Sequence, residues 1–133
     1  MNLKVHHLGY LVKHIESASR AFQQMGYECL GELVQDATRE VDILFLRKDG
    51  YVIELLAPQS KESPYYPLLT KYRNAIYHIC YETNQFEKDS AALQESGFHC
   101  IEPPAKAVAL GGRWVAFFVH PQMGIVEVLD ASV

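Results

Sequence analysis

The chain has 133 residues, 49% hydrophobic and 21% charged, which suits one soluble globular domain with a buried core. Its net charge of -4 and pI near 5.8, with the lysines and arginines scattered, exclude the electrostatic footprint of a nucleic-acid binder. No apolar run approaches the roughly 20 residues of a membrane span, and Cys29, Cys80 and Cys100 lack CxxC spacing, as expected for reduced thiols in a cytoplasmic protein.

Met1-Asn2-Leu3-Lys4 passes directly into a strand pattern, Val5 to Val12, without the apolar core of a signal peptide. Ala18, Ala21, Phe22 and Met25 then recur at helical spacing, and Gly26 stands where a helix stops. Val41 to Arg47 and Tyr51 to Leu56 flank Lys48-Asp49-Gly50, an Asp-Gly turn signal that predicts a hairpin. A linker over 59–74 follows, in which Ser63-Pro64 is expected to open a short helix through Leu69. Ile76 to Thr83 again reads as a strand. Asn84 and Glu87 have the spacing of a capping pair for a second helix, from about Glu87 to Ser96, closed by Gly97. Arg113 to Val119 and Gly124 to Leu129 are strands joined through His120-Pro121-Gln122-Met123.

These elements are written twice. At a displacement of 71 residues His7 meets His78, Tyr10 meets Tyr81, Glu16 meets Glu87 and Ser19 meets Ser90. Ala21, Gln23, Gly26 and Cys29 likewise meet Ala92, Gln94, Gly97 and Cys100. The displacement then slips by two, so that Glu54 in Tyr51-Val-Ile-Glu-Leu-Leu56 meets Glu127 in Gly124-Ile-Val-Glu-Val-Leu129. Two copies are too few for a solenoid and suit a duplicated domain. The expected organisation is a single domain over 1–133, with module one at 3–58, a linker at 59–74 and module two at 75–131.

Alternate strand residues share a face. Glu54 then lies with Val52 and Leu56, and Glu127 with Ile125 and Leu129. An ionised carboxylate on an apolar face needs a cation, strong donors or a proton. His7 lies with Val5 and Leu11, and His78 with Ile76 and Cys80. One histidine or one glutamate in such a place is more often structural than a ligand. Recurrence of both residue types in both copies points instead to a four-ligand site, His7, Glu54, His78 and Glu127, for one divalent metal. Nitrogen and oxygen donors suit Ni, Co, Zn, Mn or Fe.

The segments Val5-His-His-Leu-Gly-Tyr-Leu-Val12, Tyr51 to Pro58, Tyr77-His-Ile-Cys-Tyr-Glu82 and Gly124 to Leu129 resemble the vicinal oxygen chelate superfamily. That superfamily includes glyoxalase I, methylmalonyl-CoA epimerase, extradiol dioxygenases and bleomycin-resistance proteins. The resemblance implies an α+β fold of two βαβββ modules forming a cupped, incomplete barrel, and its metal ligands fall on the same four residues. Leu55-Leu-Ala-Pro58, Glu62-Ser-Pro64, Glu102-Pro103, Val115-Ala-Phe117 and His120-Pro121 are similar to the epimerases in order and spacing. Tyr77 and Pro104-Ala-Lys-Ala-Val108 depart from them, and two His with two Glu is the set of nickel-type glyoxalase I.

Both chemistries remove a proton from carbon beside a carbonyl or thioester, and a carboxylate carries it. Glu127 is the first candidate for that carrier and Glu54 its counterpart. The resemblance to the epimerases implies a further acid on the strand before that of Glu54, and Asp42 is the nearest candidate, unless a slip of one residue puts Ile43 on the site face instead. The leading expectation is a methylmalonyl-CoA-type epimerase. The alternatives are a glyoxalase I-type lyase and a non-catalytic drug-binding protein, although a metal-free cup has no need of two buried glutamates. An acyl-CoA thioester or thiol hemithioacetal is the expected ligand, and the resemblance implies a homodimer. Arg73, Lys106 and Arg113 could meet an anion of either ligand. Trp114, Phe117 and Phe118, on one strand, read as core or dimer contact, and Tyr65 and Tyr66 as cover or helix packing. His6 and His120 are assigned no chemistry.

Overall fold

The computed structural model describes residues 1–132. It confirms the α+β class with two βαβββ modules, and the described residues fall into two compact units, one from His7 to Tyr77 and the other combining Met1–His6 with residues from 78 to 132.

In module one, β1 (Lys4–Leu11) leads to α1 (Ile15–Gln24), then β2 (Glu28–Asp36), β3 (Val41–Lys48) and β4 (Tyr51–Pro58). The strand order is β2-β3-β4-β1. β3 runs antiparallel to both β2 and β4, whereas β1 lies parallel to β4, with Gly9 opposite Glu54. The parallel pair requires a crossover, which α1 and the two intervening strands supply. Asp49 adopts φ 56°, the left-handed conformation the tight β3–β4 turn requires, and Gly26 at φ 98° ends the α1 region.

The pleat sorts the residues of module one into two faces. Leu44, Leu46, Ile53, Leu55 and Ala57 form a buried cluster that receives Ile15, Ala18 and Phe22 of α1. Burying side chains such as Leu46 and Leu55 completely contributes about 2 kcal/mol each. Glu54 and Phe45 alternate out of that cluster and sit opposite each other on the other face.

Helix α2 (Tyr66–Tyr72) lies between the modules in sequence. It begins later than Ser63-Pro64 suggests. Ser63 is buried and uses its hydroxyl to accept from Tyr65 N and donate to Arg39 O, so it closes a turn, and Pro67 takes the early helical position. Tyr65 packs edge-on to Tyr77 at 6.5 Å between centroids, a helix-packing role.

In module two, β5 (Ala75–Thr83) leads to α3 (Phe86–Glu95), then β6 (His99–Ala107), a short 3-10 turn, β7 (Arg113–His120) and β8 (Gly124–Asp130). The order is β5-β8-β7-β6, with β5 parallel to β8 and Cys80 opposite Glu127. Ala116, Phe118, Val128 and Leu93 form the buried cluster beneath α3. The expected Asn84–Glu87 cap is not used: the N-cap is Gln85 without a side-chain hydrogen bond. Thr83 holds this corner instead, accepting from Gln85 N at 2.9 Å and donating to the buried Asp89 carboxylate at 2.6 Å.

Candidate functional site

In module one, His7 leaves β1 and Glu54 leaves β4 on the face away from α1. His7 Nε2 lies 3.1 Å from Glu54 Oε1, and both residues are buried. Phe45, directly opposite Glu54 on β3, sets its ring edge-on to the His7 imidazole, 5.4 Å between centroids at 87°.

Module two repeats the arrangement. His78 Nε2 lies 3.0 Å from Glu127 Oε1, and both are buried. Phe117, directly opposite Glu127 on β7, sets its ring edge-on to His78, again 5.4 Å away, at 90°. The parallel register is also the same, since the residue two beyond each histidine, Gly9 or Cys80, faces the glutamate.

Each pair is therefore built from a neighbouring parallel strand pair and braced by an aromatic ring from the third strand. A carboxylate taken out of water is tolerable only with a partner such as this imidazole. The donor chemistry also fits a metal. Two ligand atoms each about 2.1 Å from one ion and at right angles to each other stand about 3 Å apart, the spacing both pairs already have. A buried nitrogen and oxygen set of this kind is chemically compatible with a first-row divalent ion.

The phenylalanines are the part sequence reasoning missed. Phe117 is buried in the core, as its strand suggests, and from there its ring also braces a candidate ligand. Phe45 and Phe117 stand 72 residues apart, midway between the displacements of the histidines and the glutamates. Following the slip strand by strand would have found them.

Asp42 is corrected. The unbroken β3–β4 register puts Ile43 and Phe45 on the Glu54 face, and Asp42 with Leu44 and Leu46 on the α1 face. There its carboxylate accepts from Gln59 Nε2 at 3.1 Å. It belongs to a different surface from the His7–Glu54 pair. Other residues resolve similarly. Trp114 lies on the face opposite to Phe117, with Lys106 5.7 Å over its ring, and Arg113 Nε donates to Leu110 O at 3.1 Å. Arg73 caps the C-terminal end of α2. His120 packs on Phe98 and accepts from Gln122 N.

Two βαβββ modules, each carrying a buried His–Glu pair, define an α+β protein whose buried histidines and glutamates could hold a metal ion. The chain belongs to the Glyoxalase/Bleomycin resistance protein/Dioxygenase superfamily, whose sequence model matches residues 5–117. It is 26% identical over 121 residues to an ethylmalonyl-CoA/methylmalonyl-CoA epimerase of Cereibacter sphaeroides, covering 90% of this chain and 89% of the relative. Among solved structures, a hypothetical protein from Bacillus halodurans C-125 superposes with a TM-score of 0.86 at 26% identity, over 100% of this chain and 97% of that one. A Streptomyces coelicolor methylmalonyl-CoA epimerase variant in complex with 2-nitronate-propionyl-CoA gives a TM-score of 0.84 at 17% identity, over 99% and 97%. At that identity the likeness establishes the fold.

Proposed function

We propose that this chain is a metal-dependent enzyme that moves the proton on the carbon next to a thioester, an epimerase of the methylmalonyl-CoA type. In this reading His7, Glu54, His78 and Glu127 together hold one divalent metal. The observation that carries it is the repetition, in both modules, of a buried His–Glu pair at ligand spacing with the same bracing phenylalanine. One structural histidine can arise for packing reasons; a matched pair with matched braces is what a shared ligand requires. Similarity to an ethylmalonyl-CoA/methylmalonyl-CoA epimerase supports an acyl-CoA thioester as the substrate class.

The bound metal would supply Lewis-acid stabilisation of the negative charge that develops on the thioester oxygen. Glu127 would take the proton from the α-carbon, and Glu54 would be its counterpart across the pair. Returning the proton to the other face inverts the centre. The apolar neighbours of both glutamates keep water from competing for the carbanion-like carbon. We extend the reading to a cytoplasmic homodimer, with sedimentation as its check.

A second reading, a glyoxalase I-type lyase, is favoured by the carboxylate in both modules, the two-His, two-Glu set of that activity. A paired assay separates the two. Deuterium entering the α-carbon of methylmalonyl-CoA supports the epimerase. Turnover of the methylglyoxal–glutathione hemithioacetal without that exchange would replace it with the lyase.

A further inference from the structure

The pairing of β2 slips once, between Leu30 and Val34, whereas that of β6 slips on both sides of Glu102. In module one, Cys29 faces Leu46 and the next residue, Leu30, faces Phe45. The repeat equates Cys29 with Cys100, and Cys100 faces Phe118 in the same way. Continuous pairing would then put Ile101 opposite Phe117. The strand instead slips by one residue, and Glu102 takes that position. Ile101 is left 47% exposed, while Glu102 is half-buried. On transfer grounds, exposing the apolar side chain of Ile101 is unfavourable. A bulge that re-aims a side chain beside a site is a recognised use of such irregularity.

The slip places Glu102 in one row with Phe117 and Glu127, directly opposite residues whose side chains share a face. Module one has the apolar Leu30 at the corresponding point. From these observations we infer that Glu102 is a substrate-binding residue that accepts a hydrogen bond from an amide N–H on the carrier arm of an acyl thioester. This inference rests on the thioester reading above.

The dimensions agree. Two strand spacings put the Glu102 backbone about 10 Å from that of Glu127. With both side chains on one face, a proton-transfer contact at Glu127 and a hydrogen bond at Glu102 each take up about 3 Å of that separation. In a thioester of a cysteamine-type arm, five bonds separate the α-carbon from the first amide nitrogen, about 6 Å when extended. Together with its two contacts, an arm of that length can span the row from Glu127 past Phe117 to Glu102. A hydrogen bond to a charged acceptor is strong enough to affect binding tenfold or more.

The test is calorimetric titration of metal-loaded protein with propionyl-CoA and with an S-propyl thioester lacking the amide. Glu102→Leu, which installs the module-one residue, is expected to weaken propionyl-CoA binding about tenfold and leave the amide-free thioester within about twofold. Glu102→Gln keeps a carbonyl acceptor and should restore part of the loss. Equal weakening of both thioesters, or no weakening in either variant, would overturn the assignment. α-Proton exchange by the wild-type protein, measured in parallel, reads the thioester reaction separately. Its absence alongside a Glu102-dependent affinity would remove the epimerase and leave the binding residue.

Discussion

Replacing Phe117 by leucine tests whether the edge-on ring orients a metal ligand or merely fills space. In the wild-type protein the ring meets the His78 imidazole at 5.4 Å and 90°, and Phe45 meets His7 at the same distance and 87°. Edge-to-face pairs contribute about 0.5–1.5 kcal/mol beyond area burial, so losing one should cost about 1 kcal/mol of histidine orientation. That corresponds to about fivefold weaker metal binding, somewhat below the usual 10–100-fold for hydrogen-bonded outer-shell partners. Phe45→Leu should weaken binding similarly. If both histidines hold the same ion, the double variant should lose about 25-fold, because the two rings contact different ligands. Competition against a chelating dye measures each affinity. An affinity unchanged within about twofold in both single variants would refute the orienting role. A double variant no weaker than either single one would refute a shared ion.

Saturating metal should stabilise the fold. At 100 times the dissociation constant the gain is about 2.7 kcal/mol, or roughly 10 °C in Tm for a domain of this size, read by differential scanning fluorimetry. That gain should shrink on acidification, because the imidazoles and carboxylates must be deprotonated to bind; a gain independent of pH would argue against these ligands. Asp42→Asn should leave metal affinity and α-proton exchange within about twofold, since Asp42 bonds Gln59 on the α1 face; a loss beyond tenfold in exchange would return it to the site. Phe118→Ala, beneath α3 and fully buried, should cost about 3–5 kcal/mol in urea unfolding. A cost below about 1 kcal/mol would mean that core is wrongly described.

The two His–Glu pairs were legible because two independent periodicities meet on them. The repeat fixed their equivalence, and strand alternation put each on an apolar face. Both are local properties that survive without knowing how strands pair. What failed depended on register. Asp42 lies one residue from the Glu54 face, and only its pairing with Ala57 decides which side it takes. Glu102 reaches its row through a slip of β6 that leaves Ile101 outside, so an unbroken alternation would have chosen the isoleucine. Helix starts failed for a related reason. Ser63 and Asn84 have the chemistry of caps, but Ser63 is tied to Arg39 O, and Thr83 supplies the bond that anchors the α3 corner. Such competition among nearby polar groups is settled by tertiary position rather than by the local motif.

In the proposed function, His7, Glu54, His78 and Glu127 hold one ion. Metal content by mass spectrometry, after loading and exhaustive dialysis, tests it directly in the wild-type, His7→Ala and His78→Ala proteins. About one first-row divalent ion per chain is expected in the wild type and close to none in either variant, as when each histidine serves the same ion. Two ions per chain, with one retained in each variant, would contradict it, as would no bound metal at all after reconstitution.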